Sequence, residues 1–141
     1  MTPEQIELVQ RAWGRVTALN NTYVQEVYTE LFRLSPDLIN LFPDPAGMPV
    51  TKVSETLNTV ITSLEQLDAL GFIIRDLGRR HRQFNVQSHQ FGLLKQALTR
   101  VLARRLGEHF TPALSDAWSQ MYDEIAALML EGLGQHTPSV V

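Results

Sequence analysis

The chain has 141 residues, enough for one domain whose core can enclose a cofactor. Twelve Lys and Arg against 15 Asp and Glu leave a net charge of -3, which offers nucleic acid no broad basic surface. The apolar runs are too short to cross a bilayer. The absence of cysteine excludes disulfides, zinc–thiolate sites, iron–sulfur clusters and thioether-linked cofactors, so any cofactor must be held by histidine, packing and charge. The start, Met1-Thr2-Pro3-Glu4-Gln5, lacks the charged and apolar regions of a secretory signal, and a cytoplasmic location is expected.

The hydrophobic period is helical almost throughout. Thr2-Pro3-Glu4-Gln5 is a capping box with proline at the first helical position, and Ile6, Val9, Trp13 and Val16 follow on one face. Asn20 and Asn21 break that helix, and Val24, Val27, Tyr28, Leu31 and Phe32 mark a second. Ser35-Pro36-Asp37 starts a short helix that ends at Leu41-Phe42. The prolines and glycine of residues 43–49 cannot continue it and predict a loop.

From Val50 the positions Val53, Leu57, Val60, Ile61, Leu64 and Leu67 recur at three and four, and a shorter stripe of Leu70, Ile74, Leu77 and His81 follows. Two long helices finish the chain. One carries Phe91, Leu94, Leu98, Val101 and Leu102 and stops near Gly107; the other opens at Thr111-Pro112 and carries Leu114, Trp118, Met121, Tyr122, Ile125 and Met129. The fold class is all-α, with no repeat and no strand pattern.

No Gly-rich phosphate loop, His-Glu-x-x-His zinc pattern or Gly-x-Ser-x-Gly elbow occurs, which argues against an ordinary hydrolase or nucleotide enzyme. The informative residue is His81, in Leu77-Gly78-Arg79-Arg80-His81-Arg82 at the end of an apolar stripe. An imidazole there is either a core or surface histidine satisfied by a hydrogen bond or the ligand of a large, apolar, metal-bearing group.

The order of helices, Phe42 after the short third helix, His81 before the last two, and Phe110-Thr111-Pro112 followed by Ala117-Trp118-Ser119-Gln120-Met121-Tyr122 together resemble a globin over nearly the whole chain. Within that family the chain is similar to single-domain bacterial haemoglobins and to neuroglobin-like and flavohaemoglobin-type globins. The resemblance implies a three-over-three helical sandwich around non-covalently bound haem b (iron protoporphyrin IX), with a globin domain over 1–134 and a flexible tail over 135–141. It makes His81 the proximal iron ligand, its other ring N–H held by a backbone carbonyl one helical turn back, near Leu77. It also places Phe42 against the porphyrin, Val53, Leu57, Val86 and Phe91 along its faces, and Tyr122 on the proximal side. Lys52 first, then Arg79, Arg80 and Arg82, are the candidates to meet the propionates.

On the distal side the resemblance points to Tyr28, 14 residues before Phe42. Its buried phenol would stabilise bound dioxygen, which draws negative charge, by about 1–3 kcal/mol and carbon monoxide much less. A core tyrosine bonded to a backbone carbonyl is the alternative. The usual distal position, 32 residues before His81, is Pro49, which has no side-chain donor. Either the next helix begins late and Tyr28 acts alone beside Val53, or Thr51 or Lys52 swings towards the iron. A histidine on each side of the iron is not expected; a Tyr28 phenolate or a deprotonated Lys52 on ferric iron is a minority alternative.

The expected function is reversible binding of dioxygen, with carbon monoxide and nitric oxide as further ligands, for storage or delivery. A nitric oxide dioxygenase or peroxidase-type oxidoreductase working with a separate reductase is one alternative, and a haem-based gas or redox sensor the other. The related enzymes resemble one another in a proximal tyrosine and glutamate that strengthen the imidazole ligand. Here Tyr122 matches the tyrosine, but the glutamate position is Leu133, and Glu131 lies about 160° away around an ideal helix.

Overall fold

Thr2 opens the first helix through a reciprocal pair of hydrogen bonds: Gln5 N–H donates to Thr2 Oγ1 at 3.1 Å, and Thr2 N–H donates to Gln5 Oε1 at 2.9 Å. Two of the backbone donors that a helix start leaves without partners are satisfied in this way. The computed structural model describes residues 1–18, 22–41, 50–81 and 87–135. Among them are six α-helices and no strand: α1 (Pro3–Thr17), α2 (Thr22–Leu34), α3 (Val50–Thr62), α4 (Leu67–Arg80), α5 (Ser88–Leu106) and α6 (Pro112–Gln135). None is long and apolar enough to cross a membrane.

The helices end where local chemistry stops them. The segment expected as a short third helix is a 3₁₀ turn, Pro36–Leu41. The stripe from Val50 to Leu67 suggested one continuous helix, but α3 stops at Thr62. There the Thr62 hydroxyl bonds back to the carbonyls of Asn58 (2.7 Å) and Thr59 (3.3 Å). A side chain that competes for carbonyls in this way weakens a helix. A 3₁₀ turn at Leu64–Gln66 then redirects the chain, and Leu67 begins α4 instead of ending α3. α5 ends at Gly107, whose φ of 56° lies where glycine is favoured over other residues. Thr111 Oγ1 accepts from Leu114 N–H at the start of α6, which runs through Gln135, one residue into the expected tail. The predicted break at Asn20-Asn21, the loop 43–49 and the tail beyond Gln135 lie outside the described residues.

One apolar cluster joins α1, α2, α3, α5 and α6. Its floor is an aromatic set: Trp13 stacks on Trp118 with ring centroids 6.1 Å apart, and Tyr23 meets Trp13 edge-on at 5.1 Å. Trp13 Nε1–H donates to Asn58 Oδ1 (3.2 Å), and the hydroxyls of Tyr23 and Ser54 share a 3.0 Å bond, so α3 is fixed to α1 and α2. Trp118 Nε1 is buried with no hydrogen-bond partner among the described residues.

α2 is clamped to α5 by charge. Glu30, only 7% exposed, accepts from Arg33 and Arg104, both at 2.7 Å, with Arg100 3.6 Å away. One turn back, Glu26 accepts from Arg105. The hydrogen bonds from Arg33 first and Arg104 second hold the Glu30 carboxyl down at about 2.

α4 packs chiefly on α6, backbone against backbone. A Cβ at Gly78 would stand 2.1 Å from Met129 O, and one at Gly132 would stand 1.8 Å from Arg75 O. Only glycine permits that approach. An Arg75–Glu131 ion pair of 2.7 Å closes the edge of the seam.

Candidate functional site

His81 caps the C-terminus of α4, following Gly78, the residue that seats this helix on α6. Gly71, Ile74 and Gly78 form the buried face, and Leu77 and His81 lie on the adjoining face roughly a quarter turn away. Ile73, one turn before Leu77, continues that face. The sequence reading passed over Ile73 in favour of Ile74, although its four-residue spacing from Leu77 was the available signal.

The His81 ring is half-buried, and its Nδ1 lies 2.7 Å from the Leu77 carbonyl oxygen. A carbonyl can only accept, so Nδ1 carries the proton and donates, and in the neutral ring the lone pair belongs to Nε2. The fold therefore sets both tautomer and ring orientation, which is what an imidazole ligand of a metal requires. Among the described residues no three His, Cys, Asp or Glu side chains are grouped to hold a bare metal ion. His81 contributes one nitrogen donor, a donor set that fits a metal arriving inside a macrocycle.

Tyr28 is buried on α2 and stacks on Phe32, with centroids 6.0 Å apart and planes inclined by 20°. Burial pushes its phenol above the ordinary value, so without a metal on its oxygen it keeps its proton at neutral pH. Val53 and Leu57, half-buried on α3, pack against the same cluster as Tyr28. α3 begins at Val50, and both Thr51 and Lys52 in its first turn are exposed.

Tyr122 and Phe91 are joined directly. The Tyr122 hydroxyl donates to the Phe91 carbonyl at 2.6 Å, and burial pushes its phenol up, with the Asp123 charge adding to the shift. Glu131 is engaged with Arg75. Arg79 and Arg80 are exposed at the end of α4 and both pair with Asp76.

The structure thus brings Tyr28, Val53, Leu57 and Tyr122 into one apolar cluster, ties Phe91 to it through Tyr122, and ties His81 to Leu77. Phe42, Pro49, Arg82 and Val86 lie outside the described residues. The surface grooves at Asp116–Ala127 and along Thr22–Glu30 with Arg104 and Arg105 share no residue with this set.

Comparison with known proteins gives a consistent result. The family model described as Globin matches residues 25–129. The chain is 28% identical to a neuroglobin of Tetraodon nigroviridis, over 89% of this chain and 88% of the relative. It is 27% identical to neuroglobin-1 of Oncorhynchus mykiss, over 94% of this chain and 92% of the relative. It is also 27% identical to a flavohemoprotein of Deinococcus radiodurans, over 92% of this chain but only 33% of that longer protein.

Proposed function

The chain belongs to the globin family, whose members bind haem and through it diatomic gases such as oxygen, and we propose that it is a reversible dioxygen-binding globin using haem b. When bound, haem would supply an iron, held by His81, able to take up dioxygen, carbon monoxide or nitric oxide.

In this reading His81 holds the iron through Nε2. The observation that carries it is the 2.7 Å bond from Nδ1 to Leu77 O, because it presents one defined nitrogen from the end of a helix anchored at Gly78. Leu77 and Phe91 form apolar walls, and Tyr122 keeps Phe91 in place through its backbone. Val53 and Leu57 exclude water on the α3 side, and Tyr28 donates a hydrogen bond to the gas. Lys52, exposed in the first turn of α3, meets a propionate at the rim, with Arg79, Arg80 and Arg82 as the other cations for that role. Pro49 adds no polar group on the distal side, which leaves Tyr28 as the donor.

A second reading, turnover of nitric oxide with electrons from a separate reductase, draws support from the flavohemoprotein match. The engagement of Glu131 with Arg75 and the apolar Leu133 weigh against it, since the imidazole is then strengthened by the neutral Leu77 carbonyl and not by a carboxylate.

Haem titration of His81→Ala tests the assignment. The purified protein is expected to take up one haemin and give a reversible dioxygen spectrum, and His81→Ala to lose stoichiometric uptake. A variant that keeps the same spectrum without added imidazole overturns the role of His81.

A further inference from the structure

Glu30 draws three arginines to one buried carboxylate: Arg33 from its own helix, and Arg100 and Arg104 from α5. With Arg105 on Glu26 one turn back, the seam between α2 and α5 gathers four guanidinium groups around two carboxylates among the described residues. Two positive charges are left in excess, in a chain whose net charge is -3. The hydrogen bonds from Arg33 and Arg104 keep Glu30 ionised, so the arginines stay gathered at neutral pH.

The two signs of charge face different ways. Glu30 is buried, whereas the side chains of Arg33, Arg104 and Arg100 are 60%, 54% and 45% exposed, so solvent meets guanidinium and not carboxylate. The pairs run in opposite order along the two helices: Arg105 reaches Thr22 and Glu26, and Arg104 and Arg100 reach Glu30. The Glu26 end is therefore balanced by Arg105, and the excess lies at the Glu30 end. Holding α2 to α5 does not account for all three arginines there. Arg33 and Arg104 each bond one oxygen of the carboxylate at 2.7 Å, while Arg100 stands 3.6 Å off and its guanidinium makes no hydrogen bond among the described residues. A groove of about 380 Å³ beside these groups, walled by Thr22, Gln25, Glu30 and Arg104 among others, has room for a small ligand.

We propose that the Glu30 end of this seam binds the phosphate group of a small anionic compound, held between Arg33, Arg100 and Arg104. A phosphate dianion carries the two negative charges that the excess calls for. Its oxygens are set tetrahedrally and accept from guanidinium forks that arrive from two helices, whereas a planar carboxylate is satisfied by one fork. Nucleic acid would need a run of such places along the surface, and this is a single one on an acidic chain. A free phosphate compound and the head group of an anionic lipid offer the same chemistry to these residues. The inference stands apart from the haem assignment.

Calorimetric titration of the full chain with tripolyphosphate tests it, at low ionic strength because salt screens such contacts. One ion per chain is expected. Arg100→Gln should weaken binding by about ten-fold or more, with little change in urea unfolding because the Arg100 guanidinium bonds nothing in the free fold. Arg33→Gln should weaken it to a similar degree. Lys95→Gln removes the same charge from α5 at a side chain paired with Asp123, and should leave binding unchanged. Vesicles containing phosphatidic acid form the second arm. Arg100-dependent binding of tripolyphosphate upholds the proposal with a free phosphate compound as the ligand, and Arg100-dependent binding to the vesicles alone upholds it with a lipid head group. Failure to bind either overturns it, as does binding indifferent to Arg100→Gln, and so does equal weakening by Arg100→Gln and Lys95→Gln, the mark of attraction to net charge alone.

Discussion

Gly78 and Met129 touch through their backbones: a single added carbon at Gly78 would stand 2.1 Å from the Met129 carbonyl oxygen. No side-chain rotation relieves such a clash. Gly78→Ala should therefore destabilise the fold by about 3 kcal/mol, the upper range for overpacking, and Gly132→Ala should do the same from the other side of the seam. Gly92 in α5 meets nothing within 4 Å, and Gly92→Ala should stabilise by about 0.5–1 kcal/mol through the entropy of the unfolded chain. Urea unfolding of the three variants checks the pattern.

Tyr28 offers a kinetic prediction. Tyr28→Phe keeps the ring and its packing on Phe32 but removes the hydroxyl. Dioxygen release is expected to quicken by about ten-fold or more, and carbon monoxide release to change little. Because burial raises the phenol pKa, dioxygen release from the wild type should be flat from neutral into mildly alkaline pH. Equal acceleration for both gases, measured by stopped-flow exchange, would assign Tyr28 to packing alone.

Glu30 predicts a pH window. Its carboxyl falls from an ordinary 4.5 to about 2 in the folded chain, so its stabilising effect is complete above pH 4.5 and disappears as pH falls towards 2. Glu30→Gln should lower Tm at neutral pH, and the gap from wild type should shrink steadily across that interval. A gap that stays constant down to pH 2, in thermal melts taken through the window, would mean that the lost charge is not the cause.

Tyr122→Phe removes one donor from the Phe91 carbonyl. The expected cost is about 1 kcal/mol, the net value of one hydrogen bond, since the Phe91 carbonyl lies inside α5 and keeps its helical donor. The His81–Leu77 bond does not involve Tyr122, so the iron–imidazole Raman band should stay in place. A shift of that band would show that Tyr122 acts on the proximal ligand.

Local signals in the sequence were direct guides. The capping box, the stop at Gly107 and the Leu77 carbonyl one turn before His81 are each set by residues three or four apart, and all are found as read. The close approaches of Gly78 to Met129 and of Gly132 to Arg75 were not legible, because a glycine inside a helix signals only low propensity until its partner, 51 residues ahead of Gly78 or 57 behind Gly132, is known. Glu30 was passed over for a similar reason: a carboxylate on a helix reads as solvent-facing, and only the convergence of Arg33 with Arg104 from α5 permits its burial. The end of α3 was hidden because Leu64 and Leu67 continue the apolar period past the point where Thr62 disrupts it.

The stacking of Trp13 on Trp118 turns the chain into its own optical reporter. These are the two tryptophans of the sequence, and both belong to the junction of α1 with α6. Ultraviolet emission excited in the indole band of the haem-free chain therefore comes from one place in the molecule, so a change in colour or lifetime registers the loosening of that junction while the ends of α4 and α5 stay silent. Refolding followed by this light times the docking of the first helix on the last.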